Sequence, residues 1–224
     1  MTNTINFPVK IDKFEFFDDN FTIKGSKYDY NDIESLRFVI QNISINFSKD
    51  ETYYLSIRMG DDSIFEIYAG DASFSINKKK AAAKKLKTKA VYNYLNQTTY
   101  VRRVEKYLNQ LRNDNFMLYK FFDQHKLLGS KLKTAKICDD GNVIIDNTIY
   151  NLEKARQKGT LKFGTAYGLG CDRTIDPFEI SINEKKPILG GRAEGLGSMR
   201  IDGSWDYPIV FEVIKSLSGL GMEK

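Results

Sequence analysis

The pattern of apolar and polar residues changes period in the middle of the chain, from the alternation of strands to the spacing of a helix. Within Lys78–Phe122, a first helical segment follows Asn77, an acceptable N-cap residue. The polar run Asn96–Thr99 separates it from a second segment, for which Thr98 is the predicted cap. The predicted packing face of the first segment is Ala83, Leu86, Ala90 and Tyr94. The face of the second is Tyr100, Val104, Tyr107, Leu108 and Leu111.

The chain before the helical stretch predicts strands, because short runs rich in Phe, Ile and Val alternate with polar turn residues. Turns are predicted at Asp18-Asp19-Asn20 and Gly25-Ser26. Gly60-Asp61-Asp62 is predicted to join the two strands of a hairpin. The predicted strands are Phe14–Phe17, Phe21–Lys24, Leu36–Phe47 with a kink near Asn42, Thr52–Arg58 and Ser63–Tyr68.

The second half repeats the order of the first. Asp18–Ile23 has an echo in Asp139–Ile144, and Tyr30–Glu34 has one in Tyr150–Glu153, both offset by about 120 residues. Further strands are predicted at Thr160–Phe163, Pro177–Asn183 and Ser198–Asp202. The repeat predicts an α+β protein with two similar antiparallel halves.

A closing helix is predicted over Asp206–Leu217, with Asp206 as its N-cap, Pro208 in its first turn and Gly219 at its end. Its apolar face is Val210, Val213, Ile214 and Leu217. The residues expected to be buried on the two helices are Leu108, Leu111, Val213, Ile214 and Leu217.

This order of strands followed by a helix resembles the pleckstrin-homology-like (PH-like) fold. The resemblance is carried by the paired Asp-Asp turns, the Thr98–Leu111 helix with the aromatic run Phe116–Phe122, and the Asp206–Leu217 helix. More narrowly, the chain resembles bacterial proteins of unknown function with two such domains. The resemblance implies two β-barrel or sheet halves, each closed by a C-terminal helix, over residues 1–113 and 114–224. The phosphoinositide-binding pattern of eukaryotic relatives does not occur around Lys10–Lys27.

Charge is concentrated in the central stretch. Lys78–Arg112 contains eleven Lys or Arg residues and one acid, Glu105, for a net charge of +10, whereas the whole chain carries +5. The remainder therefore sums to −5, and such a polarised molecule orients an acidic partner toward its basic pole. The same lysines can also serve only to keep a helix face solvated. The candidate polyanion-binding residues are Lys78, Lys80, Lys84, Lys85, Lys87, Lys89, Arg102, Arg103 and Lys106.

The residues that usually carry catalysis or bind metals are few. His125 is the only histidine, and Cys138 and Cys171 are too few and too far apart for a disulfide framework or a zinc site. The glycine-rich stretch Gly164–Gly197 lacks a Walker lysine, because Leu196 follows Gly195. We therefore predict no catalytic residue, no metal and no cofactor, and expect flexible loops there.

These patterns favour binding over catalysis. The first interpretation is a non-enzymatic binding or scaffold protein that recognises a peptide or protein, or an acidic partner. A nucleic-acid-binding protein that uses the basic helix 78–112 is the second, with Tyr92, Tyr94, Tyr100 and Tyr107 between the basic residues. A peripheral membrane contact is the third. Without a secretory signal or an apolar run long enough to span a bilayer, a cytoplasmic location is expected.

Overall fold

A computed structural model describes residues 5–45, 48–70, 78–123, 131–158, 162–165, 178–181, 187–190 and 205–219. The predicted class is confirmed at the level of a mixed α+β chain with antiparallel sheets and a central helix. The described residues divide into two compact units, the first up to Arg103 and the second from Val104 onward. Among the helices that the structure describes, none is both long and apolar enough to span a membrane.

The first unit opens with a four-stranded antiparallel sheet. Its strands are β1 (Val9–Ile11), β2 (Phe14–Phe16), β3 (Asn20–Ile23) and β4 (Ser26–Asp29), in that spatial order. Asp29 then caps a 3₁₀ turn at Tyr30–Asp32, and its carboxylate accepts a hydrogen bond from the Asn31 amide at 2.7 Å. A second sheet follows, with strands β5 (Ile33–Ile45), β6 (Ser48–Met59) and β7 (Ile64–Ala69).

The predicted hairpin at Gly60-Asp61-Asp62 is confirmed, because β6 pairs with β7 and the Met59 amide donates to the Ser63 carbonyl at 2.9 Å. Asp62 takes a positive φ of 64°, as tight turns between strands require. The predicted kink near Asn42 is wrong. Register is continuous from Ser35 to Ile45, and the irregularity lies between Ile33 and Ser35, where the chain leaves the 3₁₀ turn.

The central stretch is one continuous helix, α1 (Lys78–Asp114), so the prediction of two segments separated at Asn96–Thr99 is wrong. The polar side chains there form hydrogen bonds along the helix instead of capping it. The Thr99 hydroxyl donates to the Leu95 carbonyl at 2.7 Å, and Arg103 donates to the Asn96 side chain at 2.5 Å. Because these polar side chains form hydrogen bonds within the helix, the run Asn96–Thr99 does not interrupt it.

The packing face predicted for the amino-terminal part of α1 is wrong at Ala83 and Leu86, whereas Tyr94 packs against the core of the first unit as predicted. Leu86 is 69% exposed, whereas Val91 and Leu95 lie in the core of the first unit. The true face includes Thr88 and Thr99, which are buried because each hydroxyl donates to the carbonyl four residues earlier. Sequence periodicity counted only apolar residues and therefore selected a face on the opposite side of the helix.

The second unit repeats the order of the first. After the carboxyl-terminal part of α1 come β8 (Phe116–Asp123), β9 (Lys131–Cys138), β10 (Asn142–Ile145) and β11 (Thr148–Asn151), which form one antiparallel sheet. The short helix α2 (Leu152–Gln157) follows, capped by Asn151. The remaining elements are β12 (Lys162–Thr165), β13 (Phe178–Ser181), β14 (Pro187–Gly190) and α3 (Tyr207–Leu217).

Helices and sheet share one core in the second unit. Tyr107 and Leu111 of α1 and Val213 and Ile214 of α3 are buried there with the inner residues of β8–β10. This confirms the predicted burial of Leu111, Val213 and Ile214. Leu108 and Leu217 are only partly buried, because they lie at the margin of their helix faces.

Asp206 precedes α3 as predicted, but its side chain does not cap the helix. Asp206 is buried with a φ of 51°, and its carboxylate accepts a hydrogen bond from the Tyr107 hydroxyl at 3.2 Å. Pro208 lies in the first turn and Gly219, with a φ of 78°, ends the helix, so these two predictions are confirmed.

The four-stranded sheets of the two units have the same cross-strand register. In the first unit Phe16 pairs with Phe21 and Phe21 with Tyr28; in the second, Ile137 pairs with Val143 and Val143 with Tyr150. Tyr150 therefore corresponds to Tyr28, not to Tyr30 as the sequence echo implied. The described strands of each unit form two open sheets of four and three strands, so the expectation of closed barrels is wrong.

The tyrosines of the first unit predict a loss of stability at alkaline pH. Burial raises the pKa of Tyr54 to about 12, and the adjacent Tyr68 adds to the shift. An unfolded tyrosine ionises at about pH 10, so the stability that Tyr54 contributes is complete below about pH 10 and is lost as the pH rises toward about 12. We expect the melting temperature to fall across this range, and to fall less in Tyr54→Phe. Ionisation of Tyr54 at its ordinary pKa, followed by ultraviolet absorbance, would contradict this.

Candidate functional site

The basic residues of α1 differ in exposure: some are exposed, some are half-buried, and Arg103 is buried. Lys78, Lys79, Lys80, Lys87 and Lys89 are exposed. Lys84 and Lys85 are half-buried, and the Lys84 ammonium forms an ion pair with the Asp12 carboxylate at 2.6 Å. Since that pair joins the helix to the sheet of the first unit, replacing Lys84 removes an internal contact as well as a surface charge.

Arg102 is occupied within the first unit. Its guanidinium donates to the carbonyls of Tyr30 and Ile33 at 2.8 and 2.7 Å, and also to that of Asn31. The carbonyls of Tyr30 and Asn31 belong to the 3₁₀ turn and that of Ile33 to the first residue of β5, so Arg102 connects the helix to the end of that turn. Burial, and then the charge of Arg103, lower the pKa of Arg102.

Arg103 and Lys106 are also drawn into the protein. Arg103 is 2% exposed, and its guanidinium donates to Thr99 and Asn96 side chains on the same helix. Lys106 is half-buried, and burial lowers its pKa although the nearby Asp206 carboxylate opposes the shift. Arg102 and Arg103 are therefore held by hydrogen bonds within the first unit, and Lys106 is half-buried within the second.

We expect Arg102→Ala to lower the free energy of unfolding by about 1.5–3 kcal/mol, because the charge-assisted bonds to three carbonyls are lost together. Lys79→Ala, on the exposed side of the same helix, is the matched control and should change stability by less than about 0.5 kcal/mol. Urea denaturation of both variants gives the comparison. Equal midpoints for Arg102→Ala and the parent protein would show that the three contacts contribute nothing.

The aromatic residues between the basic ones are largely used for packing. The Tyr92 ring stacks on Phe38 with centroids 4.3 Å apart, and the Tyr94 hydroxyl donates to the Asp18 carbonyl at 2.7 Å. Tyr107 is buried, whereas Tyr100 is exposed. The stacking platform that a single-stranded nucleic acid would need is therefore reduced to one ring on this helix.

Five exposed residues follow one another along a single face of α1 at alternating spacings of three and four. They are Lys79, Ala82, Leu86, Lys89 and Asn93, and we call this face the basic ridge. Such spacing keeps residues aligned over four helical turns and is the spacing through which helices pair. The basic ridge lies opposite the buried Val91 and Leu95, so Leu86 is presented to solvent between two lysines.

Sequence reasoning missed Lys79 and Leu86 as site residues. The predicted polyanion-binding residues do not include Lys79, although it contributes to the charge of the stretch, and Leu86 belongs to the predicted packing face. The heptad-like spacing of Lys79, Leu86 and Asn93 was a usable signal once the buried face had been identified.

Other sequence candidates lie outside the described residues, including His125, Cys171 and most of Gly164–Gly197. In the part of the chain that the structure describes, no group of three His, Cys, Asp or Glu side chains is arranged to hold a metal ion. No family model matches the chain, and no curated protein or solved structure is detectably similar to it.

Proposed function

We propose that this chain is a non-enzymatic binding protein whose basic ridge docks an acidic, amphipathic helix of a cytoplasmic protein partner. The carrying observation is Leu86, 69% exposed between Lys79 and Lys89 on one helix face. Contact between Leu86 and an apolar side chain would contribute favourable binding free energy by removing apolar surface from water. Ion pairs between the two lysines and carboxylates would add a smaller contribution. A partner helix with acidic residues on either side of an apolar one supplies both.

A nucleic acid satisfies this surface less well. Phosphates can neutralise Lys79 and Lys89, but they offer no apolar group to cover Leu86. The loss of Tyr92, Tyr94 and Tyr107 to packing removes most of the base stacking that would compensate. The same lysines would attract nucleic acid only through unspecific, strongly salt-dependent contacts.

We also infer that each unit is a PH-like module and that the two form a tandem repeat of bacterial type. Four strands, a short helical turn, three strands and a helix follow one another in both units, which supports this inference. In this arrangement the first unit's helix carries the charge and also continues into the second unit. The binding function would then belong to a scaffold that presents its basic ridge on a folded module.

The proposal is tested with three labelled probes of equal net charge, measured by fluorescence anisotropy. One is a helical peptide with glutamates around a central leucine, the second has serine in place of that leucine, and the third is a thymidine oligonucleotide. We expect the leucine peptide to bind most tightly. Leu86→Gln should weaken that complex about 5–10-fold while leaving the other two probes unchanged.

Val101→Gln is the matched control, because Val101 is an exposed aliphatic residue of α1 that lies off the basic ridge. It should bind all three probes as the parent protein does. Tighter binding of the oligonucleotide, with no effect of Leu86→Gln, would favour a nucleic-acid-binding protein. Binding of the leucine peptide that does not weaken with added salt would overturn the role of the lysines.

A further inference from the structure

The charge of α1 changes abruptly along its length. Its first twelve residues, Lys78–Lys89, contain seven lysines and no acid, and the next twelve, Ala90–Val101, contain no charged residue. The boundary falls within the basic ridge, between Lys89 and Asn93. The basic ridge therefore has a strongly basic amino-terminal part and a neutral carboxyl-terminal end.

The neutral part continues beyond the basic ridge on the same side of α1. Tyr100 follows Asn93 at the heptad spacing that also separates Asn93 from Leu86, so the three residues share one face. Asn93 is exposed and Tyr100 is 37% exposed. At 1.5 Å per residue, the face from Lys79 to Tyr100 is about 30 Å long. A partner helix of about twenty residues can lie along it, and only one half of that helix meets lysines.

A helix that docks on this face therefore needs its acidic residues toward one end. Carboxylates opposite Lys78–Lys89 form ion pairs, whereas carboxylates opposite Ala90–Val101 would lose hydration without meeting a lysine of α1. Two arrangements meet this requirement. The acids lie either in the amino-terminal half of a helix parallel to α1 or in the carboxyl-terminal half of an antiparallel one.

The dipole of the partner helix favours the parallel arrangement. Each carboxylate in the first turn stabilises a helix, and each one in the last turn destabilises it, by about 2- to 5-fold in the helix–coil equilibrium. Antiparallel helix dipoles attract each other, but half-charges about 10 Å apart in water contribute only about 1.2-fold per pair of ends. Since an isolated helix of this length is marginally stable in water, the larger effect decides which partner folds more readily on binding.

We propose that the partner of the basic ridge is a helix with its acidic residues in its amino-terminal half, lying parallel to α1. This inference rests on the proposed function and adds the charge pattern and the orientation of the partner. The first turn of α1 holds Lys78, Lys79 and Lys80 and no acidic residue. Carboxylates of the partner would therefore also supply the negative charge that favours a helix amino terminus.

The test uses three labelled peptides of identical composition. The first has glutamates in its amino-terminal half on either side of one leucine, the second is the same sequence in reverse order, and the third spreads the glutamates evenly along its length. Fluorescence anisotropy at low salt gives the dissociation constant of each peptide for the full chain. We expect the first peptide to bind about 5-fold more tightly than the second, because its helix forms more readily.

A nitroxide at the amino end of each peptide then reports its orientation, through the broadening of amide resonances along α1. The first peptide should broaden the amides near Lys79, and the second those near Tyr100. The evenly spread peptide is the matched control and should broaden both sets. Broadening near Tyr100 by the first peptide, or tighter binding of the second, would overturn the proposal.

Leu86→Gln separates this proposal from the proposed function on which it rests. If the first two peptides bind equally and Leu86→Gln weakens both complexes, the basic ridge is a binding site but the preference for the parallel arrangement is wrong. If Leu86→Gln weakens neither complex, the proposed function fails, and the parallel arrangement fails with it.

Discussion

Phe21→Ala is expected to lower the free energy of unfolding of the first unit by about 3–5 kcal/mol, the usual cost of truncating a fully buried phenylalanine. Phe21 has no exposed surface, and its ring lies between 5.2 and 5.6 Å from the rings of Tyr28, Phe16 and Phe65. Alanine would remove these aromatic contacts and leave a cavity where both sheets of the unit meet.

The adjacent Thr22→Ala is the control for Phe21→Ala, because Thr22 lies on the outer side of the same strand. Its effect should stay within about 0.5 kcal/mol. Val143→Ala probes the corresponding position in the second unit and should cost less than Phe21→Ala, since fewer atoms are removed. Urea denaturation gives all three values. Equal costs for Phe21→Ala and Thr22→Ala would contradict the inner and outer faces assigned to β3.

Leu95→Ala is expected to cost about 2–5 kcal/mol, because Leu95 has no exposed surface and lies among the core residues of the first unit. Leu86→Ala changes the same side chain two and a half turns earlier on the same helix, but on the basic ridge. Since Leu86 is already in water, that change should alter stability by less than about 0.5 kcal/mol.

Comparison of the Leu95→Ala and Leu86→Ala unfolding midpoints measures directly which face of α1 packs on the sheets. If Leu86→Ala were the more destabilising of the two, the face chosen from apolar periodicity would be correct. In that case the basic ridge would be a core surface, and the proposed binding function would fail with it.

Local signals predicted much of the fold. The Gly60-Asp61-Asp62 turn between two alternating runs defines its hairpin by backbone preference alone. Pro208 and Gly219 likewise mark the ends of α3 through the conformations that these two residues favour. The repeat was visible because the order of elements was preserved, although the echo at Tyr150 was shifted by two residues.

The packing face of α1 was not predictable from apolar periodicity, because side-chain hydrogen bonds decide it. Thr88 and Thr99 can be buried because their hydroxyls donate to main-chain carbonyls. Their burial could not be predicted from residue type, since threonine is usually counted as polar. Ala83, Leu86, Ala90 and Tyr94 gave the opposite face the stronger apolar pattern. A long helix that packs on a sheet with threonines therefore escapes a count of apolar residues.

The same limitation applies to the candidate site. Arg102 and Arg103 contribute to the basic composition of the stretch, but the carbonyls of a distant turn and the polar side chains of the helix hold them. The sequence shows that these side chains are charged, but it does not show which groups they form hydrogen bonds with. Lys79 and Leu86 became recognisable as parts of one face only when the buried face was known.

The most direct test of the proposed function compares two triple variants that each change two lysines and one aliphatic residue to glutamine on different surfaces. Lys79→Gln, Leu86→Gln and Lys89→Gln remove the basic ridge, whereas Lys24→Gln, Lys27→Gln and Val101→Gln remove equal charge from exposed positions off it. The measurement is the dissociation constant of the glutamate peptide with a central leucine, at low salt. We expect the first variant to bind about 30-fold more weakly, and the second as the parent protein does. Equal affinities for both variants would contradict a binding role for the basic ridge.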